Sequence, residues 1–216
     1  MILRHKTKVI INNLKRTKLD ANRDSIEATQ GDRFAKRAWE EYHYYIESAK
    51  SKIIEEFNYG LFLDIHGHGA NPDGFYDLRT WLGYLLSGDE LQLSDNELNQ
   101  SIYENKSSVK TLSYISPETF IEVLRGKNSL GSLLDSLGYK SVPSTNDPST
   151  NGMFYFSGGY NTYVHGSVNS GSPVSSIQLE LPKPGIRENS VQWQNFGESL
   201  AIALEKYFKV HYNIDL

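Results

Sequence analysis

The sequence predicts a three-layer α/β/α domain with a mixed, mostly parallel sheet, and three observations lead there. Two short apolar runs, Val9-Ile10-Ile11-Asn12-Asn13 and Leu61-Phe62-Leu63-Asp64-Ile65, bracket a long stretch with helical apolar spacing. Strand, helix and strand in that order imply a parallel crossover. A late segment alternates Ile177, Leu179 and Leu181 with Ser176, Gln178 and Glu180, as a strand does. The length of 216 residues, 38% hydrophobic and 22% charged, suits one domain with a sizeable core.

Residues 9–13 read as a buried strand and residues 15–24 as a polar turn. Asp32 can cap a helix over 33–57, where Phe34, Ala38, Tyr42, Tyr45, Ile46, Ala49 and Ile53 recur at helical intervals. Asn58-Tyr59-Gly60 ends that helix, and 61–65 form the second strand. Residues 82–86 read as a further strand, and the polar, poorly periodic stretch 87–116 as mostly loop. Pro117-Glu118-Thr119 opens a short helix ending near Gly126. Another follows over 130–137, closed by Gly138. Residues 141–152, rich in Ser, Pro, Asn and Thr, read as an exposed loop. Residues 160–164 and 175–181 read as strands, and 191–208 as an amphipathic helix returning to the sheet.

Formal net charge is −4 with the basic residues scattered, so a nucleic-acid partner is not expected. With no cysteine, any metal must be held by His, Asp or Glu. No apolar stretch approaches the roughly 20 residues that span a bilayer. The first residues have no apolar segment behind them that would make a signal peptide. The expectation is a soluble, cytoplasmic protein, with no membrane partner and an open oligomeric state.

Four segments could carry chemistry. In Asp64-Ile65-His66-Gly67-His68-Gly69, Asp64 and His66 project to one side at the strand's C-terminal end, where open α/β sheets place ligands. His66 and His68 could share a metal, although a glycine-rich turn with surface imidazoles has the same pattern. In Asp20-Ala21-Asn22-Arg23-Asp24, a guanidinium among carboxylates could clamp a substrate carboxylate, or simply belong to a salt-bridged turn. Gln178 and Glu180 lie on one face of an otherwise apolar strand. Glu180 is a candidate general base if that face meets a cleft, and a wet edge-strand residue if it does not. Finally, Gly158-Gly159 precede Tyr160-Asn161-Thr162 and suit a tight turn whose N–H groups can face an anion. Arg4-His5-Lys6 only distantly suggests a phosphohistidine site, lacking the following glycine.

Taken in order, these segments resemble the N-formylglutamate amidohydrolases. The resemblance rests on Asp20-Ala21-Asn22-Arg23-Asp24, Ala38-Trp39 to Tyr42-His43, Asp64-Ile65-His66, Gly158-Gly159-Tyr160-Asn161-Thr162 and Gln178-Leu179-Glu180, and spans roughly residues 9–208. That family shares the zinc-carboxypeptidase-like fold. The resemblance implies zinc-dependent hydrolysis of an amide in an N-acyl amino acid or a similar small carboxylate-bearing substrate. It implies that His66 is a zinc ligand, with His68 or Asp64 as possible additions. Asn22 and Arg23 would bind the substrate carboxylate, and Glu180 would activate water and protonate the leaving amine. Gly159, Thr162 and Gln178 would line the substrate pocket.

The sequence departs from the family pattern at its start, where no His-x-x-Glu precedes Asp20 and His5 is the only earlier imidazole. Three readings stay open. The chain is a fragment lacking an upstream strand, which is the reading adopted; or His68, Asp64 or His165 rebuild a metal site; or the domain only binds carboxylates. A zinc peptidase of the same fold is a further alternative.

Overall fold

The computed structural model describes residues 7–70 and 74–216; Arg4-His5-Lys6 lies outside them. Helices α1 (Ser25–Thr29) and α2 (Arg33–Phe57) precede strands β1 (Gly60–His68) and β2 (Thr80–Gly83). Five short helices follow: α3 (Asp95–Leu98), α4 (Ser101–Lys106), α5 (Lys110–Ile115), α6 (Phe120–Arg125) and α7 (Leu130–Ser136). Then come β3 (Ser141–Val142), α8 (Tyr160–His165), α9 (Ser167–Ser170), β4 (Val174–Pro182) and α10 (Ser190–His211). The fold is α/β, as expected, with helices on both faces of a four-stranded mixed sheet ordered β1-β4-β2-β3. β1–β4 and β2–β3 are parallel, and β2–β4 is antiparallel.

β4 is the centre of the sheet and is buried along its whole length. Its odd-numbered side chains Ile177, Leu179 and Leu181 join Leu61, Leu63 and Leu82 in the main core, against Phe196, Leu200, Ala203 and Tyr207 of α10. Burying a Leu or Ile side chain in this way is worth about 1.5–3 kcal/mol. The opposite, even-numbered face carries the polar residues. There α2 and α8 cover it, with Ile53 seated on Gly60 and His165 edge-on to Phe62.

The long helix runs where its cap predicts, because Asp32 accepts from the N–H groups of Phe34 and Ala35. Ile46 is buried on it, whereas Phe34 and Tyr45 face solvent, against expectation.

Five other expectations are corrected. Residues 9–13 form no strand, and Val9 and Ile11 are 74% and 70% exposed. β-Branched residues favour strands only where a ladder and a packing surface receive them. Residues 160–164 are helical: Gly159 supplies an extended N-cap, and the turn buries Asn161, Thr162 and His165 on one side. Residues 87–116 hold α3, α4 and α5, fixed by the Ser94–Glu97 capping box and by buried Leu91, Leu98, Val109 and Leu112. β2 ends at Gly83 because Leu85 takes a φ of 64° and its N–H leaves the sheet for the Ser157 carbonyl at 2.6 Å. The loop over 141–152 is exposed only in part, since Ser141, Val142, Ser144 and Thr150 are buried.

Candidate functional site

β1 and β4 run parallel in a register that sets Asp64 beside Gln178 and His66 beside Glu180. All four side chains therefore project to the α2/α8 face. Asp64, Gln178 and Glu180 are 5%, 3% and 7% exposed, so their polar atoms need partners within the protein.

Two chains of polar contacts supply most of them, and Asp64 Oδ2 alone of these carboxylate oxygens is buried without a hydrogen-bond partner. Thr162 Oγ1 donates to Gln178 Oε1 at 3.4 Å, and Gln178 Nε2 donates to Glu180 Oε1 at 2.8 Å. Asn161 Nδ2 reaches Asp64 Oδ1 at 3.5 Å, while Asp64 Oδ2 lies 2.9 Å from His66 Nε2. Asn22 closes the second chain: its Oδ1 accepts from the Asn161 backbone N–H at 2.8 Å, and its Nδ2 lies 3.4 Å from His66 Nε2. One ring nitrogen cannot both donate to Asp64 and accept from Asn22. The Asn22 contact has hydrogen-bond geometry, whereas Asp64 Oδ2 is buried with no hydrogen-bond partner and meets His66 only as an ion-pair contact.

The electrostatics follow from this arrangement. Burial pushes the Glu180 carboxyl above its usual range, against the opposing pull of His66 and the Gln178 hydrogen bond. Burial works against a charged His66, but the close Asp64 carboxylate outweighs it, so its pKa is raised. Arg16 opposes that rise. Burial and the Asp64 carboxylate push Tyr42 up to about 12.

Of the residues singled out from sequence, Asn22, Asp64, His66, Thr162, Gln178 and Glu180 converge here. Gly159 supports them from behind: a Cβ on it would lie 2.4 Å from Asn22 Nδ2, so only glycine lets Asn22 reach α8. Arg23 is peripheral. Its side chain is 58% exposed, with long contacts of 3.8 Å to Asp20 and 3.6 Å to Glu27. Asn161 is the residue that sequence reasoning passed over, and its only signal was a polar residue inside the Gly-Gly-Tyr-Asn-Thr turn.

The metal-capable groups are fewer than the resemblance implies. His68 lies flat on Trp81, with ring centroids 3.8 Å apart, and its Nε2 bonds the Arg79 carbonyl at 3.0 Å. His165 bonds Glu47 at 2.6 Å and His43 at 2.8 Å, away from His66. Among the described residues no group of three or more His, Cys, Asp or Glu could hold a metal ion. His66 and Asp64 remain as a pair, below the roughly three protein ligands of a catalytic zinc.

A trough of about 790 Å³ opens from His66, Asp64 and Asn22 and runs along the outer edge of β1. Its walls are aliphatic, with Ile53 of α2 on one side and Leu200 and Leu204 of α10 on the other; residues 7–12 form the far rim. Among the described residues no strand pairs with that edge. No helix among them is long and apolar enough to cross a membrane.

No protein-family profile, curated protein or solved structure matches the chain.

Proposed function

We propose that the cleft binds a small N-acylated, carboxylate-bearing molecule and hydrolyses its amide bond. The observation that supports this best is the pairing of His66 with Glu180 on adjacent strands, where burial raises the proton affinity of Glu180. A carboxyl tuned upward can take a proton from water and return it near neutral pH. In the proposed step the water oxygen bonds to the amide carbon and the C–N bond breaks. Glu180 carries the proton from the water to the leaving amine. Gln178 holds Glu180 in place through the 2.8 Å hydrogen bond. Asn22 Nδ2, which lies beside His66 at the trough, offers a donor for the substrate carboxylate, with Arg23 on the exposed turn next to it.

Zinc belongs to this reading as the resemblance implies it: a bound zinc ion polarises a carbonyl and lowers the pKa of its water. The described residues do not complete such a site, since only His66 and Asp64 face one another there. That shortage favours a second reading, a metal-free domain that recognises carboxylates without cleaving them.

Turnover of N-formyl-L-glutamate and N-acetyl-L-glutamate, with added zinc and with chelator, separates the two readings. Release of free glutamate that is lost in Glu180→Gln supports hydrolysis. Saturable binding with no turnover under any metal condition leaves only the carboxylate-binding reading.

A further inference from the structure

Beside Glu180 stands an aromatic shelf that none of these roles uses. Trp81 is the register partner of Glu180 across the antiparallel β2–β4 pair, so both side chains project to the same face. The indole is 1% exposed and stacks on His68 at 5° between planes. Its Nε1 donates to Asp77 Oδ2 at 3.0 Å, and Asp77 is gripped in turn by the Arg79 guanidinium at 2.7 Å. Phe154 and Phe156 rest on this fixed indole at centroid distances of 6.0 and 5.9 Å, and meet edge-to-face at 4.9 Å.

These two rings are held from beneath yet remain 49% and 46% exposed. Large apolar surface kept in water on a rigid base costs solvation without adding to the core, and marks a contact surface. Its place in the site suggests the contact. The same segment continues through Gly158 and Gly159 into α8, which binds Asn22. Across the sheet the order is therefore Asn22 over β1, Glu180 on β4, and the phenyl pair over β2. If Asn22 takes the carboxylate of the amino-acid half and Glu180 serves the scissile amide, the group reaching β2 is the acyl half.

We propose that Phe154 and Phe156 form an acyl subsite, and that the preferred substrates are N-acyl amino acids with an aromatic or branched acyl group rather than formyl. This rests on the hydrolase reading for the direction of the substrate. The test compares N-benzoyl-L-glutamate with N-formyl-L-glutamate, measuring affinity by calorimetry and hydrolysis by glutamate release. It uses the full chain and the double variant Phe154→Ala/Phe156→Ala.

The expected result is a benzoyl-over-formyl affinity ratio of about ten or more, falling to within about twofold in the double variant. Phe156→Leu, which keeps an apolar side chain of similar bulk, should retain part of the ratio and controls for a fold defect. A ratio near one in the wild type, or a ratio unchanged in the double variant, overturns the subsite. Tight benzoyl binding without hydrolysis sinks the hydrolase reading and leaves the subsite standing. Hydrolysis with no acyl preference does the reverse, and absence of binding by either compound overturns both.

Discussion

Asn22 and Gly159 compete for one space: the Asn22 amide nitrogen lies 2.4 Å from where a Cβ on residue 159 would stand. The Asn22 carbonyl there accepts the Asn161 N–H, so the contact ties the turn after Asp20 to α8. Gly159→Ala should push Asn22 out and lower stability by about 1–3 kcal/mol. Any affinity for small carboxylates should fall with it. A thermal melt and a glutarate titration of the variant check both; an unchanged melt with unchanged binding would show that Asn22 does not need this seat.

Gln178 is the nearest lever on Glu180. Its amide donates to the Glu180 carboxylate, and that bond favours the charged form against burial. Gln178→Met removes the donor at similar volume. The Glu180 pKa should then rise further, seen as a shift of its side-chain carbon titration by NMR toward higher pH. A shift toward lower pH would show that another donor takes over.

Acid should weaken the fold through His43. Burial, followed by the neighbouring His165, lowers its pKa from 6.5 to about 4. A histidine depressed in the native state takes up its proton more readily when unfolded, so stability falls as pH drops from about 6.5 toward 4. Allowing for solvent screening, the loss is about 2 kcal/mol. His165 and His211 are lowered by burial in the same direction. Denaturant melts between pH 7.5 and 4.5, repeated on His43→Gln, measure the slope. A slope that is the same in both proteins would remove His43 as its cause.

The outer edge of β1 should show in hydrogen exchange. β4 has a partner on each side, whereas among the described residues β1 has one. Roughly half of the β1 amides, those facing the trough, should exchange at least about a hundredfold faster than those of β4. Uniform protection across both strands would mean that the edge is covered in solution.

What was legible in the sequence was local. Asp32 as a cap and the alternation in β4 act within a few residues, and both placed their elements correctly. What was misread depended on distant neighbours. Tyr160-Asn161-Thr162-Tyr163-Val164 has strand-forming residues, yet contacts to Asn22, Gln178 and Ser176 make it helical. Residues 9–13 look like a core strand, but 9–12 line the rim of the trough. In the site, the same-face rule brought His66, Gln178 and Glu180 together, because register preserves alternation. His68 obeys that rule too, but Trp81 captures its ring, and nothing near it in the sequence gives that away.

The central place of β4 also governs how the chain is made. Residues 69–173 separate β1 from the strand it pairs with, and β2 waits for the same partner. During synthesis β1 leaves the ribosome with no ladder to join until Val174–Pro182 has followed, and β2 meets only the two-residue β3 before then. Sheet assembly is therefore a late and long-range event, slow by the logic of contact order and exposed to wrong pairing meanwhile. A nascent chain halted before Val174 has α1 to α9 and the short β2–β3 pair but lacks the central strand and α10 that hold them, so its yield in a cell depends on chaperones during that interval.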